Sequence, residues 1–573
     1  MNLLVLTLLL IPWGTFAQFE LDWPEIPTTW RGLKESVEIS GSINSRLTFY
    51  SASQNFARRP GFNFNVYGRP TFSVNGLYIP VDFSLGTYQS RLRQNFNRLG
   101  ISPEYKWVKL HFGNTSVNYS PLALSGHRFL GMGVELTPGK LRFGFNWGRF
   151  NRKIDPSDFQ GNATVIPQYT RKGFGIKLGY GTDRSYVDLI IFKAKDDSNS
   201  INRLNPALRT TPAENAVVAV SVKQTLTERL LFHFDLGFSA YTNDITASTY
   251  SGGVFSPVKI PGLLLKERTT TQYLMALQTN MAYKLNDFKF SIREKEIDVT
   301  NVLLKLSFDR IEPDYMSMGT YFFKNDVQQL KLSAAFKVLN QKLSVRFPLG
   351  FEWNNVLNTK QTNNRRIISG LYMNYIHSKD MIFNFSFSNF STKLTRDVAP
   401  TLDTLLVNQV NRQLGLRTMY KFMYNEKEHT STVMLNYMSG MNINELTKTK
   451  TLSSVTFCLS DQFDIDWQEL TLNAGISMNR YVLPFFTTTR IIPGIGARRN
   501  FMNNKLHAGY NLSLVLTSVK NGTGNFGISN SVSASMQTFK KQNLSLNFYF
   551  LQNLGQNRSF SELMGEFRYR IIL

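Results

Sequence analysis

From about Val37 to the last residue, apolar and polar side chains alternate one by one. Leu141, Phe143, Phe145 and Trp147 alternate with Arg142, Gly144 and Asn146; Phe174, Ile176, Leu178 and Tyr180 alternate with Gly175, Lys177 and Gly179. Phe232, Phe234 and Leu236 interleave with His233, Asp235 and Gly237, and Leu472 and Ala474 with Asn473 and Gly475. Segments 506–516 and 544–550 repeat the scheme. Successive strand residues point to opposite sides, so a period of two describes a two-faced sheet. One face is dense in Phe, Leu and Tyr. The other is Gly, Ser and Asn with scattered Arg and Lys. A soluble sandwich covers its outer face with Lys, Glu and Thr, and a soluble all-β adhesin is the alternative reading. The observed polarity fits a barrel turned inside out, greasy towards lipid and polar towards a lumen.

The expected fold class is therefore all-β, a transmembrane antiparallel β-barrel. Short connections at Asn75-Gly76, Pro138-Gly139, 181–185, 226–229, 340–342, 378–380, 425–428, 502–504 and 539–542 alternate with long polar stretches such as 151–169, 194–214, 242–269 and 391–409. That pattern predicts short periplasmic turns and long external loops. At roughly 21 to 23 residues per strand and connection, the length predicts about 24–26 strands, with 286–327 the least legible region. Phe143, Phe232, Phe234, Leu472, Leu512 and Phe548 are expected to face lipid, and Arg142, His233, Asn473, Asn511 and Asn547 the lumen.

Residues 1–17, MNLLVLTLLLIPWGTFA, read as a signal peptide, with Thr15 and Ala17 at the −3 and −1 positions of a cleavage site. Its n-region has no Lys or Arg. Residues 18–36 are expected to be a short periplasmic segment and 37–573 the barrel. Beyond Gln18 no apolar run approaches the roughly 18 residues of a membrane helix. Export without such a helix points to the outer membrane as the location. Leu563, Phe567, Tyr569, Ile571 and Leu573 form a final apolar row like that of a terminal barrel strand.

Three segments resemble ones found in large, mostly uncharacterised outer-membrane barrels of Bacteroidota. The first is NRLGISPEYKWVKLHFG from Asn97, continued at Ser120 by SPLALSGHRFLGMGVELTPGKLRFG; the second is Pro212-Ala213-Glu214-Asn215; the third is RIEPDYMSMGTYFFKND from Arg310 to Asp326. The resemblance implies fold and localisation and says little about chemistry.

The lone cysteine, Cys458, excludes an intramolecular disulfide framework and cysteine-based zinc sites. The histidines His111, His127, His233, His377, His429 and His507 show no ligand spacing and no nucleophile motif, and read as lumen or loop residues. No catalytic, cofactor or metal residues are expected, and the chain is not expected to be an enzyme. Lys plus Arg is 64 against 40 Asp plus Glu, a net charge of +24. The excess is dispersed, so nucleic acid is an unexpected partner. Rim cations suit outer-membrane lipid and lipopolysaccharide, and lumen cations favour anionic solutes. The lumen candidates are Arg142, Lys177, His233, Arg417, Lys421, Arg568 and Arg570.

The segment after Phe308 is too aromatic for a solvated loop. Tyr315, Met316, Met318, Tyr321, Phe322 and Phe323 are costly to leave as one exposed patch and are expected to bury, against the inner wall or a surface or periplasmic protein partner. Two functions follow. One is a loop-gated conduit for polar or anionic solutes. The other is a scaffold subunit of an export, assembly or surface-protein anchoring complex.

Overall fold

The computed structural model describes residues 36–573 except 54–57, 88–96, 156–166, 202–209, 251–256, 293–294, 322–323, 397–407, 444–448, 466–468, 521 and 556–558. The expected signal peptide and all of the 18–36 segment but Ser36 lie outside the described residues. Thirty strand segments form one sheet. Four strands are interrupted, at Gly41, 69–70, 102–103 and 285–287, so the segments make 26 strands around a closed antiparallel barrel. Each strand pairs with the next in sequence. The last, Ser559–Ile572, closes on Ser42–Ala52 with Ser42 opposite Ile572 and Ala52 opposite Glu562. Closure pairs the backbone groups that an open edge would leave bare in lipid.

The strand registers sort the side chains into two sets. Phe143 lies beside Leu136 and Leu178, Phe232 beside Met281, Leu472 beside Phe463 and Ala497, Leu512 beside Ile495, and Phe548 beside Val532. These rows are apolar yet exposed, Ile495 at 59%. The opposite rows run through Arg142, Gly179, Asp188, Ser221 and Asp235, and through Asn473, Gly496 and Asn511. An apolar exterior on a closed sheet is the transmembrane arrangement.

The short connections read from the sequence gather at one end of the barrel, with both chain ends of the closing pair. Two features project there. Val37–Ser40, Thr71–Val74, the start of Leu77–Gly86 and Glu104–Tyr105 form a small sheet beyond the barrel. Gly41 makes the bend into it: its φ is +108°, and a Cβ would run into the Arg69 carbonyl. The second projection is the hairpin of Phe288–Ile292 with the start of Lys295–Ile311. It occupies the least legible stretch of the sequence.

An arginine in place of Leu472 or Phe548 should cost roughly 2 to 4 kcal/mol of barrel stability, depending on depth. Arginine at Asn473, one residue along but facing inward, should cost far less. Urea unfolding in phospholipid vesicles measures both; equal losses would mean the faces are assigned wrongly.

Candidate functional site: a wedge fixed to one inner wall

Strand Lys295–Ile311 ends at Glu312-Pro313-Asp314. Proline has no N–H for the ladder, and Asp314 takes a left-handed φ of 61°, so the chain leaves the sheet. The Glu312 carboxylate accepts the Met275 backbone N–H at 2.8 Å, and the Glu312 carbonyl accepts Asp326 N–H at 3.3 Å. The two ends of the excursion are thus pinned together at the wall, and Tyr315 to Gly319 turn into the barrel.

Inside, it meets the turn between strands Val108–Ser120 and Leu124–Leu136. Gly319 and Leu124 form a parallel bridge, and Ser125 N–H donates to the Gly319 carbonyl at 3.2 Å. The Tyr315 hydroxyl donates to Leu122 O at 2.9 Å, and the Ser317 hydroxyl donates to Ala123 O. Tyr315 is 0% exposed and packs with Leu122, Leu274, Ala276, Ile311 and Val327. Burial pushes its phenol well above the ordinary range, which keeps it a protonated donor. Met318 joins Leu124, Phe129, Phe192, Val217 and Ala219 in a second apolar cluster. Each such side chain contributes about 1.5 to 3 kcal/mol by leaving water.

Asn215 clamps the wedge to the wall. Its amide nitrogen donates to Ser239 Oγ at 2.9 Å, Ala240 O at 3.0 Å and Met316 O at 3.2 Å, while its oxygen accepts Met318 N–H at 3.0 Å. Ser239 Oγ adds a bond to Met316 O at 2.7 Å. Gly237 provides the floor, since any Cβ there would collide with the Tyr315 hydroxyl. The segments around Ser120, Asn215 and Tyr315, which carry the sequence resemblance, therefore meet in one place inside the barrel.

Of the two places expected to bury the aromatic segment, the inner wall takes only part of it. Tyr315 and Met318 are buried, but Met316 is exposed and Tyr321 is 52% exposed although its ring stacks on His127 at 4.2 Å. The Tyr321 hydroxyl also accepts the Arg128 backbone N–H at 2.7 Å, so this ring rests on the wall with its outer side open, while Met316 is held through its backbone carbonyl. Phe322 and Phe323 lie outside the described residues.

The lumen candidates fall into three places, all on the inner rows. Arg142, Lys177 and His233 lie on the wedge-bearing wall and are engaged by acids. Arg142 reaches Asp188 and Asp183 at 2.9 Å, Lys177 reaches Glu135 at 3.3 Å, and His233 reaches Asp235 at 3.2 Å. Asp235 also accepts the Ser120 hydroxyl at 3.2 Å, which ties this polar layer to the turn under the wedge. Arg417 and Lys421 sit on the far wall, Arg417 beside Asn384 and Met434 and Lys421 with Glu428 at 2.8 Å. Arg568 and Arg570 sit at the closing seam, beside Arg46 and Asn44.

One histidine departs from the lumen-or-loop reading. His429 shares the outer row with Tyr420, Phe422 and Phe463, close to the short-turn end. Its Nδ1 lies 2.8 Å from Asp461, which also accepts the Ser431 hydroxyl at 2.6 Å. Histidine and serine both bind the carboxylate, so the serine has no base and the trio is no nucleophilic relay. Among the described residues no group of three or more His, Cys, Asp or Glu could hold a metal.

Replacing Asn215 by leucine leaves Met318 N–H without its partner in a buried place, at about 1 to 3 kcal/mol, and leaves Met316 O with Ser239 Oγ alone. Tyr315→Ala removes a filled site at a cost of roughly 3 kcal/mol. Either variant should keep the heat-modifiable mobility of a folded barrel while the wedge becomes open to protease cleavage between Pro313 and Tyr321. A wedge as resistant as in the parent protein would contradict the clamp.

No protein-family model matches the chain, and no curated protein is similar to it. Among solved structures it is similar to the translocation pore of the P pilus usher PapC, at 11% identity over 93% of this chain and 99% of that one, with a TM-score of 0.35. It is also similar to OccAB4 of Acinetobacter baumannii, at 10% identity over 94% and 98% with a TM-score of 0.29. OccK5 of Pseudomonas aeruginosa matches at 8% over 94% and 99%, with a TM-score of 0.28. At these values the fold rests on the chain's own strand register and closure.

Proposed function

We propose that the protein is an outer-membrane barrel of the Bacteroidota type that acts as a non-enzymatic conduit for polar and anionic solutes, narrowed by a wedge held on one wall. The short turns face the periplasm, and the dispersed rim cations contact lipid and lipopolysaccharide phosphates. The observation that carries the reading is the one-sided filling of the lumen. Among the described residues, no apolar side chain after Val327 is buried. On that far wall the inner rows hold Gln413, Asn479 and Ser531, together with Ser460, Asn473, Ser477 and Asn511, and the last four line a hollow of about 440 Å³ around Cys458, Gly475 and Gly494. A polar wall without a packed cover is a water-filled passage. Its cations, Arg417 and Arg498 among them, favour anions. A scaffold would need the aromatic segment for a partner, whereas Tyr315 and Met318 are already committed to the inner wall.

Purified barrel in planar bilayers should conduct, with anions preferred over cations. Deleting Pro313 to Phe323 should raise the conductance and leave co-purifying proteins unchanged. A correctly folded barrel that carries no current would overturn the reading.

A further inference from the structure

Where the last strands close on the first, the inner wall carries a hollow of about 540 Å³ near the short-turn end. Its lining includes Asn44, Lys505, His507, Asn543, Arg568 and Arg570. Strand register puts these on neighbouring inner rows: Asn44 and Asn543 flank Arg570, and His507 lies opposite Ser535. The turn before Lys505, with Met502, Asn503 and Asn504 at positive φ, delivers that lysine to the rim.

The lining contains no carboxylate. The acid nearby, Glu566, is buried and held by both Arg46 and Arg568. Its charge is offset by those two, while the exposed Lys505 and Arg570 keep theirs turned to the hollow. Cations gathered in one concavity repel each other until a ligand of opposite sign enters. Guanidinium forks, an ammonium and carboxamide N–H groups are donors matched to phosphate, sulfate or carboxylate oxygens. A single negative charge would offset only part of the surplus.

We propose that this seam hollow is a binding station for a multiply charged oxyanion at the periplasmic mouth of the barrel, on a wall separate from the one that bears the wedge. The proposal deepens the channel reading and rests on it: it names the solute class as one with two or more phosphate, sulfate or carboxylate groups, and it places the point where that solute pauses. The station acts by charge focusing, which concentrates the anion at the mouth and weakens as salt is raised.

The test uses the full barrel in planar bilayers with tripolyphosphate as the probe. Tripolyphosphate should interrupt the current in a dose-dependent way. The Lys505→Gln/Arg570→Gln double variant should need on the order of tenfold more for the same block. Arg568 is left intact because removing it would strip a partner from buried Glu566, and an unchanged heat-modifiable gel shift checks folding. If both proteins conduct and are blocked alike, or neither is blocked, the station is wrong and the channel reading stands. If neither conducts, the channel reading fails, and calorimetric titration of tripolyphosphate into the detergent-solubilised barrel decides the station separately. Binding lost about tenfold in the double variant supports it; equal binding or none overturns it.

Discussion

A hydrocarbon layer offers no hydrogen bonds, and every other feature of this protein follows from satisfying that condition with strands. Closure of Ser559–Ile572 on Ser42–Ala52 completes the backbone pairing. Once the sheet is closed, period-two alternation has only one use: apolar rows go to lipid and the remaining rows enclose a lumen. A ring of 26 strands is too wide for its own inward side chains to fill. Whatever narrows the interior must be supplied by chain that leaves the sheet.

The wedge is that chain, and its attachment shows why it stays on one side. Apolar packing of Tyr315 and Met318 gives it cohesion, but the backbone it carries inward needs partners away from water. Asn215 and Ser239 provide them, while the Leu122 and Ala123 carbonyls accept the Tyr315 and Ser317 hydroxyls. Those partners belong to strands and turns of one sector of the wall. In the opposite sector, from Leu343–Trp353 onwards, the inner rows are mainly polar, and the apolar residues among them, such as Ile368, Phe390, Met434 and Ile492, are not buried. Arg417, Arg498 and the seam cations lie on its inner rows, without the packed cover that the wedge gives the other side.

Fold class, strand number and the sorting of residues by face were legible in the sequence because a period of two is a direct readout of strand geometry. The Phe143/Arg142 and Leu472/Asn473 assignments required nothing more. The wedge was harder to see. Its aromatic content marked 310–326 as unusual, but its destination depends on Asn215 and Gly237, whose roles exist only after folding. One local sign was present: inner positions Ile190, Phe192, Val217, Ala219 and Ala276 are apolar, so their strands are apolar on both faces. Strands with two apolar faces are covered on both, and in a barrel the inner cover has to come from inside. The outer-row position of His429 was missed because a histidine within an apolar row resembles any other polar interruption. Its stacking on Phe422 and Phe463 is a cross-strand property.

The native cysteine reports most directly on the one-sided lumen. Cys458 lies on the inner row of the open wall, between Met434 and Ser477. Ala219 lies on the inner row beneath the wedge. In the folded, membrane-inserted barrel, a water-soluble thiol reagent should modify Cys458 readily. A Cys458→Ala/Ala219→Cys protein should resist the same reagent until it is unfolded. Equal protection of both thiols would mean that the lumen is filled throughout, and equal reactivity would mean that the wedge does not cover its wall; either result contradicts the account.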